Sequence, residues 1–267
     1  MLAALPGLTA QSGGFRPAPT YVGGSQADQT DGARILADFR QAGIAGTHWL
    51  SFELRVMPRK GAERLLDGEL FGTHGPQGPL SRLRLADGRW LIQSGPVPAA
   101  WTAPDSTVRP ATTAEILQPV ASTDFTIFDL QMPFLHWPDF VYEGLAKVRS
   151  RPAHRFLLYP PADFAVVRPG LSAVRVFIDT QFQALVQVEQ LGPDGRPAKS
   201  VTLIDLKKVG EQWLVKSVDL RNHLTRDKTR LTFKAIALDL LLPADTFAPA
   251  QLAQPLPAVP REKITGL

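Results

Sequence analysis

His48, His74, His136, His154 and His223 are the residues from which metal or acid–base chemistry would first be expected. A zinc centre brings its ligands together by spacing, as in HExxH or an i, i+4 pair, and these five show neither. The chain has no cysteine. Thiolate ligands, a cysteine nucleophile and disulfides within these residues are therefore excluded, and a chain not lipidated on a cysteine is expected. No G-x-S-x-G elbow, P-loop or dinucleotide fingerprint is present. Asp163, Asp179, Asp205 and Asp219 fall at strand ends or alternate with apolar residues, as solvent-facing carboxylates do. A carboxylate pair for glycoside hydrolysis has no fixed sequence spacing, so a hydrolase with an unrecognised acid pair is kept as the weakest reading. The expectation is a protein that is not an enzyme and uses no cofactor or metal.

Lys and Arg (29) outnumber Asp and Glu (25) among 267 residues, but they are scattered rather than gathered on one face. That argues against nucleic-acid binding and is compatible with contact with anionic headgroups. No stretch approaches the ~20 apolar residues of a membrane-spanning helix. Met1 to Ala10 reads as the back half of a secretory signal, an apolar run ending in small residues but without a basic start. Residues 1–30, rich in Gly, Ser, Gln and Thr beyond that run, read as a flexible leader. Residues 249–267 read as a Pro-rich tail lying over or beyond the domain. The domain itself is expected over residues 31–248.

The elements that must position any site are mostly strands. Asp31 to Gln41 carries Ile35, Leu36 and Phe39 at helical spacing ahead of Gly43. From His48 the period changes to two. Leu50, Phe52, Leu54 and Val56 alternate with polar residues; Leu66 and Leu70, Leu83 and Leu85, and Trp90 to Ile92 follow, with Asp87-Gly88 as a hairpin signal. Thr112 and Glu115 have capping-box spacing, and Asp124 is placed to cap a helix over Phe125 to Leu135 that is too apolar for a surface position. Strands resume from Phe140 and continue to Leu238. This predicts an antiparallel meander of about ten strands, and a single sheet that wide must curl or split.

The run Phe125 to Pro138 (FTIFDLQMPFLHWP), followed by Tyr142-Glu143-Gly144, Arg151-Pro152, a strand ending Ile178-Asp179, and Lys207-Lys208-Val209-Gly210 before Trp213, resembles the outer-membrane lipoprotein-sorting (LolA-like) proteins. The likeness extends from about Ala33 to Phe247 and rests on the order of these elements. It implies a mainly β fold: one strongly curved antiparallel sheet forming an incomplete barrel, with helices covering the concave face as a lid. It implies an apolar space that receives acyl chains.

On that resemblance the cavity and lid are expected at Leu50, Phe52, Leu54, Leu83, Leu85, Phe125, Phe128, Leu130, Met132, Phe134, Leu135 and Trp137. Arg55, Arg82 and Arg84 are expected to sit on the outer face or to latch the lid by donating to its carbonyls. The implied partner is an acyl chain, a lipid or a lipidated protein, exchanged with an inner-membrane transporter or an outer-membrane acceptor. A periplasmic monomer that binds no nucleic acid is expected. An envelope-stress sensor built on the same sheet is the alternative.

Overall fold

The computed structural model describes residues 15–24 and 26–267. The expected signal remnant lies outside the described residues. In chain order the elements are α1 (Gln29–Gln41), β1 (His48–Met57), β2 (Arg64–Gly75), β3 (Gly78–Leu85), β4 (Gly88–Gln93), β5 (Ala99–Thr102), β6 (Arg109–Pro110), α2 (Thr113–Leu117) and α3 (Ile127–Gln131). They continue with β7 (Phe140–Val148), β8 (Arg151–Leu158), α4 (Ala162–Val167), β9 (Ala173–Asp179), β10 (Leu185–Leu191), β11 (Pro197–Val209), β12 (Gln212–Asn222), β13 (Lys228–Ala237) and β14 (Thr265–Gly266). No described helix is long and apolar enough to cross a membrane.

All strands join one antiparallel sheet in the order β6-β5-β4-β3-β2-β1-β13-β12-β11-β10-β9-β8-β7, and β14 adds to the end of β13. The sheet has 14 strands, more than the ten or so that alternation shows. Those without a sequence signal, β5, β6 and β14, are two to four residues long, too short for a period of two to register. The pairing of β1 with β13 joins the two halves of the meander. The two edge strands, β6 and β7, are consecutive in sequence, so residues 111–139 must run from one edge to the other.

That insert shows that the sheet curls. Gln131 Nε2 donates to the carbonyls of Gln93 and Ala99, both at 2.9 Å, while Asp129, two residues earlier, accepts from Lys199 at 2.8 Å. In a flat sheet with ~4.8 Å between strands, β4 and β11 would be roughly 30 Å apart. Two side chains of one helical turn reach both only because the sheet bends around them. It does not close into a barrel.

Helix α1 ends where its sequence predicts but begins earlier, because Asp28 caps it by accepting from the amides of Thr30 and Asp31. It packs on β7 through Gly32, where a Cβ would lie 2.4 Å from Tyr142 Cβ, so nothing larger fits. Gln29 adds two hydrogen bonds, to the carbonyl and from the amide of Tyr142. The Thr112–Glu115 capping box forms as read. The apolar helix of Phe125 to Leu135 does not form as one piece. Thr126, with Asp129 as its reciprocal partner, caps a single turn; Met132 is left-handed (φ 49°), and Pro133 opens a separate 3₁₀ turn. Proline lacks the amide and crowds the preceding backbone, which accounts for the break.

The opposite face of the sheet is also covered. Residues 15–24, within the expected leader, lie against β7 and β8: Thr20 N donates to Glu143 Oε1 (2.7 Å), Val22 N to Glu143 O (2.9 Å) and Tyr159 Oη to Pro17 O (2.7 Å). At the other end Leu252 is buried with Leu91, while Phe71, Ala237 and Leu240 bury together against Phe247 and Leu256.

Candidate functional site

The insert 111–139 crosses the open face on two rigid turns. At the first, Arg109 forms a paired contact with Glu115 (2.6 and 2.9 Å). That guanidinium, together with the Thr112 amide and hydroxyl, holds the Glu115 carboxyl at a pKa of about 2. At the second, Asp129 Oδ2 accepts from the Thr126 amide, the Thr126 hydroxyl and Lys199 Nζ, each at 2.8 Å. Asp129 Oδ1 accepts from Gln190, whose own amide oxygen takes a bond from Arg168 at 2.7 Å. The Asp129 side chain is 1% exposed and that of Lys199 13%, so water contributes little to solvating either charge.

Beneath the insert the apolar side chains divide into two groups. Phe128, Phe134 and Trp137 form an aromatic core with Phe164, with ring centroids 5.4–6.4 Å apart, and the Arg168 guanidinium caps the Phe128 ring at 4.7 Å. Met132 and Leu135 pack against the same cluster, which rests on Phe156, Val174 and Val176 of β8 and β9. Phe125, Ile127 and Leu130 turn the other way, toward β1 to β4. There a cavity of about 100 Å³ remains between sheet and insert.

Of the residues expected to line such a space, Phe52, Leu54, Leu83, Leu85, Phe125 and Leu130 do so. Leu50 packs beyond its end, against Leu214 and Ile236. Phe128, Met132, Phe134, Leu135 and Trp137 are in the dense core instead: Phe128 sits on the other side of α3 from Leu130, and the break at Met132 turns the residues after it the same way. Leu70, Ile92, Val120, Leu231 and Phe233 also line the cavity and were not singled out. Alternation along their strands was the available signal, but register between distant strands is needed to bring them together. Ser81 is the one polar side chain in the lining. The Phe52 ring lies over Gly68, where a Cβ would come within 2.2 Å of it, so the floor of the cavity requires glycine.

A groove of about 250 Å³ adjoins the cavity, sharing Leu85 and Val120 with it and bounded by Trp90, Glu115 and Gln118. Together the two spaces reach the lower end of the ~300–1,000 Å³ usual for small-molecule pockets. Left-handed backbone at Ala121 (φ 50°) and Ser122 (φ 55°) on one side and at Met132 on the other brackets α3. Such conformations cost non-glycine residues free energy, so the contacts around them must hold them in place.

The arginines expected as a latch do not reach the insert. Arg55 pairs with Glu63 at 3.7 Å and Arg84 with Glu69, both on the outer face. Arg82 is buried and donates to carbonyls, but to those of Thr246, Gln251 and Gln254 (3.2, 2.7 and 2.6 Å) in the C-terminal segment. The period of two explains the difference, since neighbours of Leu83 must point to the opposite face. Two other arginines make the expected kind of contact. Arg64 donates to the Ser122 carbonyl at 2.7 Å and Arg40 to that of Leu135 at 2.6 Å.

Among the described residues no group of three or more His, Asp or Glu is placed to hold a metal. Ser200 Oγ and His223 Nε2 are 2.9 Å apart. That pair is exposed, does not line the cavity, and has no carboxylate bonded to the imidazole among the described residues, so the third member of a nucleophile–base–acid relay is missing.

Residues 105–254 match the model of a protein family described as "Uncharacterized protein". No curated protein matches the chain in sequence. Among solved structures it is similar to a putative outer membrane lipoprotein-sorting protein domain from Vibrio parahaemolyticus, with TM-score 0.72, 15% identity and coverage of 83% of this chain and 97% of that one. It is similar to a DUF1329 family protein from Desulfovibrio piger, with TM-score 0.70, 14% identity and coverage of 84% and 98%. A LolA superfamily protein from Nitrosomonas europaea gives TM-score 0.61 at 13% identity, covering 81% of this chain and 96% of that one. At these identities the likeness is one of fold.

Proposed function

Because the chain belongs to the family whose model spans residues 105–254 and has the LolA-like fold, we propose that it is a non-enzymatic binding protein of the bacterial periplasm. Its ligand is an acyl chain, on a lipid or a lipidated protein, held between the sheet and the insert. The observation that carries this reading is the apolar cavity lined by Phe52, Leu54, Leu83, Leu85, Phe125 and Leu130, whose lining has a single hydroxyl. At about 100 Å³ it accepts only the start of a chain. A longer chain enters as α3 lifts between its left-handed flanks and the cavity merges with the groove at Trp90. Each methylene transferred from water contributes ~0.8 kcal/mol, so a chain of moderate length offsets the loss of the insert's hydrogen bonds. Binding is passive and the protein acts as a monomer, exchanging its ligand with a membrane transporter or acceptor.

The test is titration of the purified protein with a fluorescent fatty acid, beside the variant Ser81→Phe. That substitution fills the cavity from the sheet side and leaves the insert's hydrogen bonds in place. Saturable binding lost in Ser81→Phe supports the reading. Absence of binding, or equal binding by a folded Ser81→Phe variant, defeats it.

A further inference from the structure

We propose that the end of the sheet carrying the β7–β8, β9–β10 and β11–β12 turns docks on an anionic phospholipid surface. Trp213, at the start of β12, is 49% exposed although it is one of the largest apolar side chains in the molecule. Its indole packs at a 57° tilt against Phe182 of the β9–β10 loop with ring centroids 5.0 Å apart, and the Arg151 guanidinium lies over the Phe182 ring at 4.8 Å. Three separate turns thus build one aromatic platform, with no described segment covering it.

The charges around the platform suit the same partner. Arg149 sits in the β7–β8 turn, Lys208 is the cross-strand neighbour of Trp213, and Lys207 precedes Lys208 at the same end of the sheet, on the face of Leu214. Asp179 pairs with Arg151 at 2.7 Å and Glu211 with Lys208 at 3.4 Å. Asp205 is the remaining nearby carboxylate on β11 and is exposed. Asp31 and Asp38 of α1 line a groove with Asp179 and Gln183 at the β9–β10 turn and share Arg34 (2.6 and 3.5 Å), whereas Arg149 and Lys207 form no ion pair among the described residues and are left to meet an anionic surface. Exposed tryptophan flanked by lysine and arginine favours the headgroup region, where the ring meets the acyl boundary and the cations meet phosphate. An acidic protein would use the cations and leave the indole unexplained. The proposal stands apart from the acyl cavity, since none of these residues lines it.

The experiment is co-sedimentation of the full chain with phosphatidylcholine vesicles with and without phosphatidylglycerol, at low and high salt. Binding that needs phosphatidylglycerol and weakens with salt is expected. Trp213→Ser, and separately Arg149→Glu with Lys207→Glu, should each lower it by about tenfold while fatty-acid titration of the same proteins is unchanged. Ser81→Phe should sediment like the wild type. Absence of binding to phosphatidylglycerol vesicles, equal binding to neutral ones, or wild-type binding by the folded platform variants would overturn the proposal. Sedimentation lost in Ser81→Phe but kept in Trp213→Ser would assign the lipid contact to the cavity instead, and also overturn it.

Discussion

Lys199 Nζ lies 2.8 Å from Asp129 Oδ2, joining the middle of the sheet to the one-turn helix that crosses it. The same ammonium donates to the Asp124 carbonyl at 2.9 Å, so both ends of this stretch of the insert are held by one side chain. Breaking a buried pair by removing one partner leaves a charge with neither water nor counterion and typically costs ~3–5 kcal/mol. Lys199→Met is therefore expected to destabilise the fold by about that amount. Urea denaturation measures it, and a loss below about 1 kcal/mol, the range of an exposed pair, would show that the insert is not clamped there.

A second contrast separates core from cavity. Phe128 is 1% exposed and touches three other aromatic rings, so Phe128→Ala should cost ~3–5 kcal/mol. Leu130 already borders empty space. Leu130→Ala enlarges that space and should cost about 2 kcal/mol, the low end of the range for leucine truncation, while changing acyl-probe affinity. Thermal denaturation of the two variants in parallel gives the ranking, and a reversed order would mean that the cavity is the better-packed region.

How far the sequence led differs between sheet and insert. Alternation such as Leu50-Phe52-Leu54 identifies strands directly, because every second side chain faces the core. The two capping boxes are equally local, and Thr112–Glu115 was read correctly. Thr126–Asp129 was passed over for Asp124, although only Thr126 has an acidic residue three positions on; Asp124 has Ile127 there. Lys199, Arg40 and Arg64 carry no local mark as contacts of the insert. Their roles follow from the curl of the sheet, which brings residues 58 to 95 positions apart into hydrogen-bonding distance. The Pro-rich tail likewise has no period, and the carbonyls Arg82 reaches in it are 169 and 172 positions away.

Arg82 supplies the third prediction. Its guanidinium is buried and ties three carbonyls of the C-terminal segment to β3. Arg82→Met keeps the apolar stem but removes the donors, leaving the buried Thr246 carbonyl unsatisfied at ~1–3 kcal/mol. The segment should loosen before the sheet does. Limited trypsin digestion is expected to cut the variant at Arg261 and Lys263 faster than the wild type, and equal rates would show that Leu252 and its apolar neighbours hold the segment without it.

The last prediction concerns acid. The Glu115 pKa is depressed to about 2 from an ordinary 4.5, chiefly by the hydrogen bond from Arg109 and then by the Thr112 amide and hydroxyl. A carboxyl with a lowered folded-state pKa contributes stability that is fully present above its unfolded value and lost as pH falls through the folded one. The clamp between Arg109 and α2 should therefore hold at neutral pH, weaken below about pH 4.5 and release near pH 2. Because the carboxylate is exposed, solvent and salt screen part of the effect. Glu115→Gln should be less stable than the wild type at neutral pH, and the gap should close as the pH approaches 2. Denaturation of both proteins across that range, with the Glu115 side-chain carbon followed by NMR, measures the window. A carboxyl titrating at its ordinary value, or a stability gap that persists unchanged into acid, would mean that the Arg109–Glu115 contact does not hold α2 over the groove.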